Sequence, residues 1–461
     1  MEKQAAIDVL KAVVGTGHAF VAREIDERYR TDLHRKSRSE PAIVLRPADS
    51  AQVAEILRIA SSAALPVTAL GGGTGLVGGA VAEEGGILVS LERLTSIEEI
   101  DVDSMTMTVA AGVTVEAAQA AAAARGLLLP LDLGARGSAT IGGTIATNAG
   151  GTRVVRWGMM RDMVLGLEAV LADGTIVSSM VKSLKDNAGY DWKQLMIGSE
   201  GTLGIVTRAL LRLRVTPRSS QTALLAARSV ADIPQIFRIV DARLSGRLSS
   251  FELMWREFYR FVTSAQGRTP PIADDAPLYI LTEALGDADG ADSEAFHAVL
   301  QHLLETSLVT DAVIAQSERE RRQLWAIRED LLEPMARLKP RYSFDVSMGR
   351  ADLVRFAEGA RDGLGAVLPG ATVLIYGHGG DGNLHVTVGT HEAENGGELA
   401  SEAVYTATRA VGGSISAEHG IGRYKRPYIG FTRSTAELSL MRTIKDALDP
   451  AGILNPGQIL P

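Results

Sequence analysis

Two dense blocks of glycine constrain the fold of this chain more than any other feature of its sequence. The first block, Gly71-Gly-Gly-Thr-Gly-Leu-Val-Gly-Gly79, directly follows a predicted strand at 66–70. So many glycines let successive backbone N–H groups turn toward one point, which suits a phosphate anion. The block is not a Walker A loop, because no Gly-Lys-Ser/Thr follows, and it does not open a helix as GxGxxG does. It predicts a phosphate-binding loop, with a flexible loop as the alternative.

The second block, from Gly137 to Gly151, mixes glycine and alanine with serine, threonine and asparagine. Its side chains are too small to build a hydrophobic core. It fits a backbone that lies against a large flat ligand, while short side chains donate hydrogen bonds to that ligand. The alternative is a small-residue loop packed on protein. The surrounding pattern predicts strands at 42–45, 87–91 and 105–109, helices at 53–60 and 115–124, and a hairpin of strands 164–171 and 175–179.

Three of the eight histidines fall in two short segments near the end of the chain. His378 and His385 flank a glycine-rich turn between two predicted strands, so a hairpin would bring them together. With Glu418 they form a plausible ligand set for zinc or a similar divalent metal. His419, beside that carboxylate, would be left to move protons. The alternative is a glycine-rich turn with surface histidines.

Composition excludes several classes of protein. At 461 residues the chain suggests two or three domains, and its net charge of -8 argues against nucleic acid as a partner. The absence of cysteine removes disulfides, thiolate metal sites and a cysteine-linked cofactor. The N-terminus lacks the pattern of a signal peptide, and no apolar run reaches the length of about 18 residues that a membrane span needs. We expect a cytoplasmic protein without a transmembrane segment.

The second half of the chain, from about 220 to 420, predicts a domain built on an antiparallel sheet. One helix, predicted from Glu318 to Leu332, carries several arginines, and Arg328 among them is by default a solvated side chain. A capping box from Ser434 to Glu437 predicts the start of the last helix. Its apolar stripe is Leu438, Met441, Ile444 and Leu448.

Taken in order, four blocks resemble the FAD-dependent D-2-hydroxy-acid dehydrogenases of the vanillyl-alcohol-oxidase-like superfamily. The blocks are the two glycine-rich ones, the segment from Gly198 to Thr207, and the histidine segments, and the tail Asn455-Pro-Gly agrees with them. The resemblance implies an α+β protein with a two-subdomain FAD-binding domain and an antiparallel-sheet substrate (cap) domain covered by helices. The implied boundaries are 1–216 for the FAD domain, 217–424 for the cap, and 425–461 for a segment that returns to the FAD domain.

The resemblance also implies roles for single residues. It assigns a divalent metal, zinc first and manganese second, to His378, His385 and Glu418, and it makes His419 the catalytic base. It places Arg328 on the substrate carboxylate, which replaces the solvated default, with Ser343 and Thr387 at substrate-binding positions. Non-covalent FAD would lie along Gly71, Gly72, Gly73, Thr74, Gly75, Leu76, Gly78, Gly79, Asp132, Gly137, Ser138, Thr140, Gly142, Gly143, Thr147, Asn148, Gly150, Gly151, Glu200, Gly201, Ile205 and Asn455.

The substrate prediction rests on departures from the family pattern. Where the 2-hydroxyglutarate enzymes carry a threonine and a lysine, this chain has Leu332 and Ser343. Without the lysine, a buried distal carboxylate would be unpaired at a cost of several kcal/mol. Leu332 and Phe344 would suit an apolar pocket better. We therefore expect a monocarboxylate such as D-lactate, or a substrate with an apolar or aromatic side chain, and keep D-2-hydroxyglutarate as the alternative.

Other questions stay open at this point. Electrons from the flavin would pass to an electron-transfer protein, a cytochrome or a quinone, and an oxygen-using oxidase is a near alternative. A metal-dependent hydrolase and a non-catalytic flavin subunit are more distant ones. A homodimer is left open.

Overall fold

The computed structural model describes residues 2–33, 35–267, 269–391 and 394–461. The chain forms two compact units. Unit 1 comprises Met1–Gly150, Gly158–Thr216 and Glu418–Pro461, and unit 2 comprises Gly151–Trp157 and Pro217–Ala417.

Two of these boundaries differ from the predicted ones. The chain leaves unit 2 at Ala417 rather than at 424, where the Ala417 N–H donates to Asp345 Oδ2 at 3.1 Å. The segment Gly151–Trp157 belongs to unit 2 although it lies inside the predicted FAD domain. Ser250 Oγ donates to its Thr152 carbonyl at 2.8 Å. Hydrogen bonds between residues distant in sequence lie at both boundaries, and no local sequence pattern predicts these boundaries.

Unit 1 contains a four-stranded sheet in which the first pair of strands is antiparallel and the other two pairs are parallel. Its strand order is Ala19–Phe20, Ile43–Leu45, Ile87–Ser90 and Val67–Leu70. Against it packs the helix Ser50–Ser62, which begins where Asp49 accepts a hydrogen bond from Gln52 N at 2.8 Å. The predicted stripe of this helix is confirmed as fully buried at Val53, Ile56, Leu57 and Ala60.

A second sheet of unit 1 is antiparallel throughout, with strand order Ile97–Asp101, Thr106–Ala110, Ile205–Arg212, Val164–Val170 and Ile176–Ser179. The predicted hairpin is its last pair. Leu127–Leu128 and Arg214–Val215 form a short ladder beside it. The remaining helices of unit 1 are Lys3–Val14, Val115–Ala123, Ile141–Thr147, Met160–Met163, Lys193–Met196 and Thr435–Leu448.

One buried carboxylate ties the second sheet to the helix Ser50–Ser62. Glu168 accepts hydrogen bonds from Ser50 Oγ at 2.5 Å, Thr207 Oγ1 at 2.9 Å and Arg208 Nη1 at 3.0 Å. Burial alone would raise the pKa of Glu168, but these three hydrogen bonds hold it below its ordinary value.

The last helix of unit 1 differs partly from the prediction. Its capping box is confirmed, because Ser434 Oγ accepts from Glu437 N at 3.2 Å and the Glu437 carboxylate accepts from Ser434 N at 2.8 Å. Its apolar stripe is only half-buried, and no residue of Thr435–Leu448 is fully buried.

Unit 2 is built on a seven-stranded antiparallel sheet. Its strand order is Val309–Ile314, Ser219–Ala227, Leu278–Gly286, Leu248–Trp255, Thr372–His378, Asn383–Gly389 and Arg341–Ser347. One face packs on the helices Arg256–Ala265, Glu318–Glu329 and Leu332–Ala336. The other face packs on the helices Ile233–Leu244, Asp289–Glu305, Leu353–Val367 and Gly396–Ala410, and the short helix Val154–Trp157 contacts Leu248–Trp255. Within the described part of the chain, no helix combines the length and the apolar character that crossing a bilayer requires.

Candidate functional site

A cavity of about 360 Å³ opens in unit 1 at the end of the strand Val67–Leu70, which precedes the first glycine block. Its wall is unusually free of large side chains. Most of it consists of backbone and small residues from 69–80, 133–150 and 196–206, joined by Glu418, His419 and Asn455. A pocket of this size and lining suits an organic cofactor.

The loop after Val67–Leu70 offers hydrogen-bond donors to this cavity. Among the described residues, no group accepts a hydrogen bond from the backbone N–H groups of residues 71–76. Buried or half-buried N–H groups without a protein partner are costly unless a ligand or water accepts from them. An anionic pyrophosphate fits that set of donors.

Several glycines are required because the two glycine blocks pack directly on each other. A Cβ at Gly72 would lie 1.9 Å from the Ser138 carbonyl oxygen, and one at Gly71 would lie 2.6 Å from Thr140 Oγ1. A Cβ at Gly142 would lie 2.7 Å from the Ala111 methyl group. Part of the second block is therefore explained by packing on protein, which was the alternative interpretation, and part by the cavity.

Asn455 and Glu200 fasten the C-terminal tail to this wall. Asn455 Oδ1 accepts from Ala69 N at 2.9 Å, and its Nδ2 donates to the Glu200 carbonyl at 2.6 Å. Both residues have positive φ, 40° for Asn455 and 51° for Glu200, which is a strained backbone for a side-chain-bearing residue. The Glu200 carboxylate accepts from Ile421 N at 2.7 Å and Gly422 N at 2.8 Å, so it holds the segment that follows His419. Burial raises the pKa of Glu200.

Most of the predicted cofactor residues line the cavity. Those that do are Gly71, Gly72, Gly73, Thr74, Gly75, Leu76, Gly79, Thr140, Gly142, Gly143, Thr147, Gly150, Glu200, Gly201, Ile205 and Asn455. Those outside the lining are Gly78, Asp132, Gly137, Ser138, Asn148 and Gly151. Two of the latter have contacts within their own loops: Asn148 ends the helix Ile141–Thr147 in a left-handed conformation, and Asp132 pairs with Arg136 at 3.2 Å.

Other residues of the wall were not predicted from the sequence. Leu133, Ala135, Ala139, Thr144, Ala146, Ala149, Met196, Ser199 and Val206 line the cavity as well. Their side chains are too ordinary to mark a binding site, and only their position next to the named glycines could have drawn attention to them.

The histidine hairpin of unit 2 has the predicted form. Thr372–His378 and Asn383–Gly389 pair in antiparallel register, with Tyr376 opposite His385. The imidazole rings of His378 and His385 lie 5.2 Å apart, centroid to centroid, and nearly perpendicular.

Each histidine faces a buried carboxylate that the sequence analysis did not name as a site residue. Glu252 Oε1 lies 2.7 Å from His378 Nδ1, and Asp345 Oδ1 lies 3.8 Å from His385 Nδ1. Asp345 also accepts from Asn383 Nδ2 at 2.8 Å. A carboxylate on Nδ1 of a histidine leaves Nε2 with its lone pair available as a ligand.

A set of metal ligands follows from this arrangement. Glu418 is joined by one peptide bond to Ala417, whose N–H is held by Asp345. One ligand atom each from His378, His385 and Glu418 lie within 4.8 Å of one another. Two imidazole nitrogens and a carboxylate oxygen are donors that suit zinc or manganese, so the residues fit a divalent cation.

Arg328 is buried rather than solvated, which corrects its default interpretation. Only 6% of its surface is exposed, and its Nε donates to Glu252 Oε2 at 2.8 Å. The guanidinium carbon lies 4.9 Å from the centre of the Tyr376 ring. Its Nη2 is buried and has no hydrogen-bond partner among the residues that the structure describes. A buried donor of this kind fits a carboxylate ligand.

The pKa of Glu252 is affected by both His378 and Arg328. Burial alone would raise the pKa of Glu252, but the charges of His378 and Arg328 hold it below its ordinary value. The Glu252 carboxylate is thus held in its ionised form between His378 and Arg328.

The positions that carried the substrate prediction lie in different places. Ser343 pairs with Thr387 and therefore shares the face of the sheet that carries His385. Phe344 points to the opposite face, where its ring meets Tyr405 at 5.6 Å. Leu332 is 91% exposed. The expectation that Leu332 and Phe344 form an apolar substrate pocket is therefore wrong. Strand alternation directs Phe344 to the opposite face of the sheet, and Leu332 is left in solvent because the helix ends at Glu329.

His419 lines the cavity of unit 1 together with Glu418. Its Nε2 lies 3.5 Å from Glu418 Oε1, and about 29% of its side chain is exposed. The His419 imidazole is therefore within reach of a ligand in this cavity.

Comparison with known proteins identifies the family. Residues 216–459, more than half of the chain, match the model "FAD linked oxidases, C-terminal domain", and residues 41–179 match "FAD binding domain". The chain belongs to the FAD-linked oxidases. This FAD-linked oxidase is 40% identical to the mitochondrial D-2-hydroxyglutarate dehydrogenase of Bos taurus, over 96% of this chain and 81% of the relative. It is 40% identical to D-2-hydroxyglutarate dehydrogenase of Xanthomonas citri pv. viticola, over 94% and 92%. It is 35% identical to a putative mitochondrial D-lactate dehydrogenase of Schizosaccharomyces pombe, over 98% and 89%.

Solved structures support the fold of this FAD-linked oxidase. It resembles p-cresol methylhydroxylase with a TM-score of 0.78 and 16% identity, over 99% of this chain and 96% of that one. It resembles 4-ethylphenol oxidase from Gulosibacter chungangensis with a TM-score of 0.74 and 18% identity, over 99% and 97%. The fold is thus the predicted vanillyl-alcohol-oxidase type, and FAD is the cofactor that the family models assign.

Proposed function

We propose that this FAD-linked oxidase converts a D-2-hydroxy acid to the 2-oxo acid with the help of a divalent metal. The observation that carries the proposal is Arg328. Its guanidinium is buried and shares the Glu252 carboxylate with His378, and its Nη2 has no hydrogen-bond partner in the described part of the chain. The carboxylate common to all 2-hydroxy acids is the ligand that such a donor fits.

The reaction removes a hydride from Cα and a proton from the hydroxyl group. FAD, when bound, supplies the acceptor for the hydride. A divalent cation on His378, His385 and Glu418 would polarise the substrate oxygens and ease loss of the hydroxyl proton.

The protein's own side chains would then have three tasks. Arg328 binds and orients the carboxylate, since a charged, planar donor fixes a carboxylate in direction as well as position. His419 accepts the hydroxyl proton at a ring nitrogen. Glu252 keeps the ring of His378 oriented through its Nδ1 atom, and the Asp345 carboxylate lies 3.8 Å from the Nδ1 atom of His385.

Two substrates are favoured by specific observations. D-2-hydroxyglutarate is favoured by relatives of that name that are 40% identical. D-lactate, or another monocarboxylate, is favoured by Ser343, which stands where the 2-hydroxyglutarate enzymes carry a lysine.

A substrate panel tests the proposal. Purified protein with bound flavin should reduce a dye acceptor when supplied with D-lactate or D-2-hydroxyglutarate, and the L-enantiomers serve as the matched control. Colourless protein, or flavoprotein that oxidises none of the D-2-hydroxy acids, would contradict it.

Removal of the metal by a chelator tests its role separately from that of the flavin. Dialysis against a chelator should abolish turnover while the flavin absorbance remains, and added zinc or manganese should restore it. Activity that survives complete removal of metal would show that the cation has no part in the reaction.

A further inference from the structure

Glu252 is a buried carboxylate that contacts both a proposed metal ligand, His378, and the proposed substrate-binding Arg328. It lies in the middle of the strand Leu248–Trp255 and has no exposed surface. Its two oxygens are divided: Oε1 faces His378 Nδ1 at 2.7 Å, and Oε2 accepts from Arg328 Nε at 2.8 Å.

Such a carboxylate is not explained by packing. The strand is buried at all eight positions, and the neighbours of Glu252 along it, Phe251 and Leu253, are apolar. A carboxylate in such surroundings is unfavourable unless it is paired and hydrogen-bonded, and an apolar residue would fill the same space without that requirement. Both partners of Glu252 belong to the candidate site.

We propose that Glu252 is a positioning residue that couples substrate binding to metal binding. The proposal rests on the proposed function. By accepting the Nδ1 proton of His378, Oε1 fixes the tautomer that leaves Nε2 as the metal ligand. By accepting from Nε of Arg328, Oε2 fixes the plane of the guanidinium and leaves Nη2 for the substrate carboxylate.

The same face of the sheet supplies a matched control. Glu283 is also buried and also engages the helix Glu318–Glu329, where Arg321 Nη1 and Trp325 Nε1 each lie 3.2 Å from its Oε2. It contacts Thr222, Arg321, Trp325 and Arg153, and these contacts involve neither His378 nor Arg328. Replacing it removes a buried, paired carboxylate of the same kind without touching the two groups that Glu252 joins.

The test compares Glu252→Gln with Glu283→Gln in two measurements. The first is the zinc affinity of metal-stripped protein, measured by competition with a chromophoric chelator in the absence of substrate. The second is KM for whichever D-2-hydroxy acid the wild type oxidises. We expect Glu252→Gln to weaken zinc binding by about 10- to 100-fold and to raise KM by about tenfold. Glu283→Gln should change both quantities less than about twofold.

The outcomes separate coupling from a merely structural role. If both variants lose thermal stability alike while zinc affinity and KM stay at wild-type values, Glu252 is structural and the proposal fails. If Glu252→Gln changes only the zinc affinity, or only KM, the coupling is overturned, because Glu252 then positions only one of its two partners. A wild type that binds no zinc overturns it as well. If instead the wild type binds zinc but oxidises no D-2-hydroxy acid, the proposed function fails first, and the coupling to substrate falls with it.

Glu252→Asp guards against a variant that does not fold. It keeps the charge, and with one methylene fewer it reaches only one of the two partners. We expect Glu252→Asp to change either the zinc affinity or KM and to leave the other quantity at its wild-type value. Wild-type values in both measurements would overturn the proposal.

Discussion

The contact between the two glycine blocks makes Gly72→Ala the sharpest test of how the cofactor cavity is built. The added methyl carbon would lie 1.9 Å from the Ser138 carbonyl oxygen, 2.7 Å from its carbonyl carbon and 3.1 Å from Ala139 Cα. Reaching even the 3.0 Å below which real contacts essentially never occur requires a shift of at least 1.1 Å (3.0 − 1.9). No side-chain rotation can supply this shift, because the obstruction is backbone.

The size of the effect follows from that forced displacement. Overpacking of this kind costs about 1–3 kcal/mol. If the cost falls on the conformation that binds FAD, affinity drops about 5- to 150-fold. We expect Gly72→Ala to purify with little flavin, and its apoprotein to bind added FAD correspondingly more weakly in a fluorescence titration.

Two further glycines complete the experiment. Gly365, in the helix Leu353–Val367, has nothing within 4 Å of an added Cβ, so Gly365→Ala should keep its flavin and match the wild type or exceed it slightly in Tm. Gly75 lines the cavity and likewise has no protein atom near an added Cβ. Loss of FAD from Gly75→Ala with an unchanged apoprotein Tm would assign that space to the cofactor. Wild-type FAD affinity in Gly72→Ala would refute the reasoning.

Three other changes have defined outcomes. Because hydrogen bonds lower the pKa of Glu168 in the folded chain, Glu168 stabilises the fold above its unfolded pKa, and that stability is lost as pH falls through the folded value. Urea unfolding of Glu168→Gln should therefore show a deficit of about 1.5–3 kcal/mol at pH 7 that closes below about pH 4. Arg328→Lys should raise KM for a D-2-hydroxy acid about 10- to 100-fold with flavin content unchanged; an unchanged KM would mean that Arg328 serves only Glu252. Ser343→Lys should improve kcat/KM for D-2-hydroxyglutarate relative to D-lactate by no more than about fivefold, and steady-state rates with the two substrates decide it.

Local patterns in the sequence predicted local structure well. The helix Ser50–Ser62, the strands around it and the histidine hairpin all depend on periodicity and turn residues within about a dozen positions. The capping box of the last helix was predicted equally well from local sequence. The burial of the helix's apolar stripe was not, because it depends on which elements pack against the helix.

The partners of the histidines could not be predicted in this way. Glu252 and His378 are 126 residues apart, and only the register of two strands places them opposite each other. A weak signal was present, because Glu252 is the one charged residue of the strand Leu248–Trp255 and stands between Phe251 and Leu253. Glu283 gives the same signal in the next strand and has no part in the site, so the pattern alone would not have separated the two.

Of the predictions made from the sequence, the preference for a monocarboxylate substrate needs the most revision. The predicted preference for a monocarboxylate requires a buried distal carboxylate, which the missing lysine would leave unpaired at a cost of several kcal/mol. Ser343 is exposed, although it shares a sheet face with His385, and Arg341 lies two residues away on the same face. A carboxylate beside an exposed position keeps its water, and a single exposed ion pair contributes at most about 1 kcal/mol. Losing the lysine therefore costs a dicarboxylate only about fivefold in binding, which is too little to exclude D-2-hydroxyglutarate. Discrimination between the two substrates must instead come from residues that desolvate the substrate's side chain, and neither Leu332 nor Phe344 is placed to do so.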